Sequence, residues 1–537
     1  MTMIDYRAGK KPLHEYLLDN ATAAGDRTAC VFYGTEISWQ ALADSTRRLA
    51  QYLADNGVAK GDRVGLYLQN CPQYLIAHFA IQMIGAIVSP LNPQYKSAEV
   101  QYQLDASEAC AVITDRTLYQ QVAQVRDQVP SLRLVITTAY SDYLPATPTL
   151  PVPDLLTDPA PAPRDTTDLL DILQHSAPLA APVPVDLEED ICLMTFTSGT
   201  TGRPKGAMLS YGSSLYKNAG FFTATGMEID STSLAIAPFC HIAGMCTGPY
   251  MTVYGRLTAV ILARFDAETA IQAFEKYRCS LWYSIAPMNR AILDHPGIEE
   301  RDLSSLKLNP ATSFGIPVTE ALAEEWRELT GCQMAEAAYG LSETHTWDTY
   351  MPRDAIRWGS CGRPIPGNRI RILDPATGEP VASGETGEIT VSNPAVFKGY
   401  WRRPEATAET LRDGWVHTGD IGYLDEEGYL YFNGRIKEMI KCSGYSVFPE
   451  DVEALMMTHP AIAQSAAVGV PDEKRGESVK LFVVLKPEYR GKITESQIID
   501  WANEHMATFK SPRFVEFRNE LPATGAGKLL RRLLREE

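Results

Sequence analysis

Thr197 to Gly206 reads TSGTTGRPKG, with four hydroxyl-bearing residues, three glycines, an arginine and a lysine in succession. Glycines let backbone N–H groups approach an anion closely, hydroxyls add donors, and Lys205 adds a charge on a long tether, so the chemistry available here is the holding of polyphosphate. The stretch is not the common phosphate loop, which needs Lys followed at once by Ser or Thr; Lys205 stands between Pro204 and Gly206. The alternative for the stretch taken alone is a flexible polar turn.

Further segments carry groups suited to the same chemistry. They are APFCHIAGM (237–245), TSFGIP (312–317), AAYGLSET (337–344), GWVHTGDIGY (414–423), GRIKEMIKCSGYSVFPEDVE (434–453) and LPATGAGKLLRR (521–532). In this order and approximate spacing they resemble the adenylate-forming superfamily of acyl-CoA synthetases, peptide-synthetase adenylation domains and beetle luciferases. The resemblance runs from the first α/β region to the terminal lysine motif, and the fatty and aryl acyl-CoA synthetases are the branch it favours.

The resemblance implies a reaction and a site. A carboxylate that attacks the α-phosphorus of ATP meets like charge, so lysines, hydroxyls and a metal are needed there. By resemblance, Thr197, Ser198, Gly199, Thr200, Thr201, Gly202 and Lys205 hold the departing pyrophosphate. Ser342 and Glu343 contact phosphate and Mg²⁺, a hard cation suited to carboxylate oxygen. Tyr339, within Ala338, Gly340 and Leu341, stacks on adenine, and Gly315, Ile316 and Pro317 form the opposite wall. Many relatives carry Asn, Gln or Asp two residues before that tyrosine, whereas this chain has Ala337 with Glu336 displaced by one; backbone carbonyls would then read the adenine amine. Asp420 accepts the ribose hydroxyls, a use suited to two carboxylate oxygens, and Arg435 lies near ribose and phosphate.

Lys528, on a glycine-flanked loop, is implied to reach the reacting carboxylate, and Lys437 to be the hinge about which a small lobe turns between two half-reactions. Lys441, Ser443, Gly444 and Tyr445 fall on the face for coenzyme A. The acyl pocket should draw on His241, as an aromatic gate, with Met245, Tyr283, Gly315, Ala338, Thr346 and Trp347. No Lys or Arg stands among these to meet a second carboxylate, so an uncharged tail is expected, and an indole at Trp347 would limit it to short, medium or compact aryl acids. The implied activity is ATP-dependent carboxylate–CoA ligation through an acyl-adenylate. Transfer to a carrier-protein phosphopantetheine, a luciferase-like oxygenase and a catalytically silent nucleotide-binding regulator stay open beside it.

The elements that must position these residues are legible as alternation. RVGLYL (63–68), AIVSPL (86–91), ACAVITD (109–115) and LRLVITT (132–138) read as strands and IAHFAIQMIGA as a helix, while Leu42, Leu49 and Leu53 share one helical face. This implies an α/β fold: a large, multi-subdomain N-terminal lobe of layered, partly parallel sheets and helices over residues 1–434, and a small, mobile α+β lobe over 435–537. Residues 141–185 hold ten prolines and read as a surface excursion with a short helix around DLLDILQ. In the small lobe, Thr494 and Gln497 form a capping box ahead of a helix.

Composition narrows the class. The 537 residues carry a formal charge of −17, which argues against general binding to nucleic acid or an anionic membrane. Ten scattered cysteines without a C-x-x-C pair read as reduced packing residues. No integral membrane segment is apparent, a cytoplasmic location follows as the expectation, and a homodimer is left open.

Overall fold

The computed structural model describes residues 4–158, 160–197, 204–314, 316–442, 445–472, 475–524 and 529–535. Among them, the expected strands form one seven-stranded sheet in the order Thr167–Asp168, Leu134–Thr138, Ala109–Asp115, Arg63–Tyr67, Ile87–Pro90, Ile191–Thr197 and Lys205–Ser210. All neighbours run parallel except the last pair, which is antiparallel. Ala109–Asp115 is buried at every position, its apolar run through Ile113 suiting a parallel strand covered on both faces, and it ends in buried Thr114 and Asp115.

A five-stranded sheet (Leu281–Trp282, Thr232–Ala235, Thr258–Ile261, Thr28–Phe32, Thr35–Ser38) packs into the same core. The helix Trp39–Asp55 starts where Ser38 accepts from the Ala41 N–H, and it buries Leu42, Leu49 and Leu53 on one face. The helix Tyr211–Thr225 starts likewise at Ser210 and stops at Gly226, whose φ of 62° suits a residue without Cβ. Three short parallel strands, Ser284–Ile285, Asn309–Thr312 and Met334–Glu336, lead into the segments 312–317 and 337–344. An antiparallel sheet containing Gly387–Ser392, Trp415–Leu424 and Leu430–Arg435 completes the large lobe.

The proline-rich 141–185 stretch is more tightly bound than a surface excursion implies. Leu150, Leu156, Leu169 and Ile172 are buried, and the Leu179 and Val183 N–H groups donate to the carbonyls of Arg47 and Met83. Extended, proline-rich backbone still offers every second side chain to a neighbour. The helix near DLLDILQ is present as Leu169–His175.

The small lobe has a separate core built on Ile440–Cys442, Ile462–Asp472 and Gly476–Leu485 and on the helix Glu495–His505, which begins with the expected Thr494–Gln497 capping box. No helix among the described residues is long and apolar enough to cross a membrane.

Candidate active site

The antiparallel pair Ile191–Thr197 and Lys205–Ser210 sets Thr197 opposite Lys205. Ser198, Gly199, Thr200, Thr201 and Gly202 lie outside the described residues. A third segment crosses this hairpin: the N–H groups of Lys398 and Trp401 donate to the carbonyls of Met208 and Gly206, and that of Met208 donates to Gly399. The crossing brings Tyr400 under Lys205. The ammonium sits 4.3 Å from the ring centroid, and the phenol donates to Glu343 Oε1 at 2.5 Å. Burial, then the Glu343 charge, raises the Tyr400 hydroxyl well above its ordinary pKa, so it stays a donor. The sequence motifs do not single out Tyr400; the GYW triplet at 399–401, with Gly399 at φ 111°, is the signal that marks a tight turn there.

Glu343 lies in the turn Ser342–Thr344, directly after Tyr339–Leu341. The Tyr339 hydroxyl donates to Asp420 Oδ2 at 2.7 Å, and Arg435 Nε meets Asp420 Oδ1 at 2.9 Å. Strand register explains the second contact, since Asp420 and Arg435 are paired across Trp415–Leu424 and Leu430–Arg435. The Asp420 side chain is 4% exposed. Each carboxylate oxygen has a protein partner and a further lone pair for a hydroxyl donor. Of the expected adenine wall, Ile316 is half-buried and Pro317 exposed, while Gly315 lies outside the described residues. Ala337 is buried, its N–H donating to the Ala311 carbonyl at 2.6 Å. Glu336 instead turns to Ser313, taking its hydroxyl at 2.5 Å and its N–H at 3.3 Å. Burial lifts the Glu336 carboxyl to about 7.

Beneath Glu343 the backbone takes an uncommon course. His345, Thr346 and Trp347 have φ of 60°, 54° and 44°, three successive left-handed non-glycine residues. Such residues cost on the order of 1–3 kcal/mol each and persist only where surroundings over-determine them. The surroundings are a fully buried ion pair, Lys217 Nζ to Asp348 Oδ1 at 2.6 Å. Asn368 at 3.1 Å, Asn393 at 3.0 Å and the Thr344 hydroxyl complete the Asp348 carboxylate. Lys217 stands in none of the sequence motifs, although a lysine inside the largely buried helix Tyr211–Thr225 is itself the sign of an internal partner.

The expected acyl-pocket residues divide. His241 is exposed and caps the short helix Ile242–Met245, with Nδ1 accepting from the Ala243 N–H at 3.4 Å. Tyr283 shares a hydrogen bond with the Thr312 hydroxyl at 2.9 Å, and Ala338 is half-buried. Met245 and Trp347 are in the core, and Thr346 is buried. Trp347 therefore does not stand on an open wall as expected: its ring stacks on Phe221 at 4.1 Å, because the left-handed turn directs the indole inward.

In the small lobe Lys437 is exposed, and its carbonyl accepts from Arg535 at 3.3 Å. The adjacent Glu438 joins Glu450 and Glu453 around Arg531. The Lys441 N–H donates to Glu477 at 2.7 Å. Tyr445 opens the strand Tyr445–Val447 opposite Cys442; Ser443, Gly444 and Lys528 lie outside the described residues. Ala523 and Leu529 form an antiparallel bridge.

Comparison with known proteins matches these features to one group. Residues 17–401 fit the AMP-binding enzyme family and 451–528 the AMP-binding enzyme C-terminal domain. A long-chain-fatty-acid–CoA ligase of Bacillus subtilis is 34% identical, over 98% of this chain and 94% of that protein. A feruloyl-CoA synthase of an Amycolatopsis species is 35% identical, over 94% of both. The crystal structure of the anthranilate CoA ligase AuaEII with anthranoyl-AMP superposes with a TM-score of 0.86 at 25% identity, over 98% of this chain and 97% of that one. With both lobes matched in chain order, the chain belongs to the AMP-binding enzyme family of adenylate-forming enzymes.

Proposed function

We propose that the protein is an AMP-forming acid–thiol ligase, which joins a carboxylic acid to coenzyme A by way of an acyl-adenylate. One observation carries the reading. The Lys205–Tyr400–Glu343 chain and the Tyr339–Asp420–Arg435 cluster are joined by the single short segment Tyr339–Glu343, so a phosphate-facing group and a nucleoside-facing group share one support.

In the first half-reaction a carboxylate oxygen bonds to the α-phosphorus of ATP, the bond to the bridging oxygen breaks, and pyrophosphate leaves. Thr197 to Gly202 and Lys205 hold the pyrophosphate. Tyr339 and Ile316–Pro317 flank adenine, with Gly315, and Asp420 takes the ribose hydroxyls while Arg435 pairs with its carboxylate. Among the described residues no group of three His, Cys, Asp or Glu is gathered for a metal. A lone carboxylate, Glu343, suits Mg²⁺, which keeps most of its waters and binds substrate phosphates; when bound it offsets phosphate charge.

In the second half-reaction the sulfur of coenzyme A attacks the acyl carbon, the thiol proton is lost and AMP departs. Lys528 serves the first step only, and a turn of the 435–537 lobe about Lys437 withdraws it and presents Lys441, Ser443, Gly444 and Tyr445. The acid has an uncharged tail, fatty or aryl, received beyond the His241 gate. Ten unpaired thiols suit a reducing cytoplasm.

The test is pyrophosphate release over a panel of acids, with and without coenzyme A. Acid-dependent release without coenzyme A, rising to many turnovers with it, is expected. Release that coenzyme A does not accelerate would point to a carrier-protein acceptor, and no release with any acid would end the ligase reading.

A further inference from the structure

Beside the nucleotide segment lies a partly open cavity of about 40 Å³. Its walls include Phe221, Tyr350 and Met351, flat or flexible apolar groups, and Ala337 forms the side nearest Tyr339. It neighbours positions expected around the acyl group: Ala337 precedes Ala338, and Ser313, which holds Glu336, follows the Thr312 that bonds Tyr283.

The polar groups on the walls are mostly committed to the protein. Asn309 Nδ2 donates to the Trp282 carbonyl at 2.8 Å and its Oδ1 accepts from Asn289 at 2.8 Å. Gln333 donates to the Met334 carbonyl at 3.0 Å, and Thr225 to that of Phe221 at 2.8 Å. Glu336 differs. Its two oxygens each take one bond from Ser313, at 3.3 and 2.5 Å, whereas an ionised carboxylate offers about four acceptor sites. The cavity thus presents largely apolar walls and, at Glu336, an under-used carboxylate acceptor.

Resting on the ligase reading, we infer that the tail of the acid ends against Glu336, and that the enzyme selects compact acids whose far end carries a hydrogen-bond donor, a hydroxyl or an amine. A bare hydrocarbon end strands the carboxyl against an apolar group, as burial already disfavours its charge. A second carboxylate would meet Glu336 as a like charge; Arg353, the cation among the lining residues, is exposed and donates to the Lys307 carbonyl at 3.0 Å.

Matched acids decide it. 3-Phenylpropanoate, its para-hydroxy and para-amino derivatives and its para-carboxy derivative are compared by kcat/KM for acyl-CoA formation. The hydroxy or amino acid should exceed the bare acid by at least about tenfold in the wild type. The ratio should collapse to about two in Glu336→Leu and lie between in Glu336→Gln; a ratio is insensitive to the fraction of folded enzyme. Equal use of donor-bearing and bare acids, a ratio that survives Glu336→Leu, or preference for the para-carboxy acid would overturn the assignment. Turnover of the bare acid in those same outcomes would leave the ligase reading intact, and failure with all four while other acids of the pyrophosphate panel are used would overturn this assignment alone.

Discussion

Gly340→Ala should disable adenylation while the protein still folds. A Cβ built on Gly340 would lie 2.6 Å from the Trp347 nitrogen and 2.7 Å from the Thr346 carbonyl carbon and Cα, all backbone atoms. Relief needs a displacement of roughly 0.8 Å to reach ordinary contact at 3.4 Å. The 346–348 side cannot give easily. Asp348 is tied to Lys217, Trp347 is stacked on Phe221, and the N–H groups of Thr346 and Asp348 donate to the carbonyls of Leu341 and Tyr339, each at 2.7 Å. The segment Tyr339–Glu343 must move instead, away from Asp420 on one side and Tyr400 on the other. Misplacement of about 1 Å costs on the order of 100-fold in rate, and overpacking of this kind about 1–3 kcal/mol in stability. Acid-dependent ATP–pyrophosphate exchange should fall by about two decades, with a raised KM for ATP, while circular dichroism stays native. Exchange within about threefold of wild type would refute the claim that Gly340 fixes the segment.

Three further outcomes follow from the same geometry. Asp420→Ala leaves the Tyr339 hydroxyl and Arg435 without their shared partner and should weaken AMP binding by roughly 2–5 kcal/mol in calorimetry; unchanged affinity would misplace the ribose. Lys217→Met strands the fully buried Asp348 and should cost about 3–5 kcal/mol in denaturant unfolding, with Lys217→Met/Asp348→Asn recovering part of it; a loss under about 1 kcal/mol would show the pair to be dispensable. His14 is buried and burial pushes its pKa from 6.5 to about 3. The fold therefore excludes a proton that the unfolded chain binds, so this contribution is intact above pH 6.5 and is lost as pH falls towards 3. The stability of wild type relative to His14→Phe should drop by about 1.4 kcal/mol per pH unit in that window, and a flat difference would contradict the burial argument.

Much of the fold is legible in the sequence because its strands are apolar runs rich in β-branched residues. Ala109–Asp115 and the capped helix after Thr494 appear where the pattern puts them. The proline-rich stretch is legible in composition but not in attachment, since a few leucines among many prolines carry no period. In the site, residues that belong to short motifs are readable as candidates: Lys205, Tyr339, Glu343, Asp420 and Arg435 do converge. Tyr400 and Lys217 are not, because each acts through a partner distant in the chain and the signal at each, a tight turn and a lysine in an apolar helix, does not name that partner. The direction of Trp347 is unreadable for another reason: three left-handed residues in succession reverse which face the indole takes, and no propensity favours such a turn.

The central claim is that a carboxylate oxygen attacks the α-phosphorus of ATP. An accepted acid labelled with ¹⁸O in both carboxylate oxygens, turned over with ATP and coenzyme A, tests it by mass spectrometry of the nucleotide product. The account predicts AMP carrying one ¹⁸O per acyl-CoA formed, with unlabelled pyrophosphate. Label in inorganic phosphate with ADP as product, or AMP without label, would contradict it.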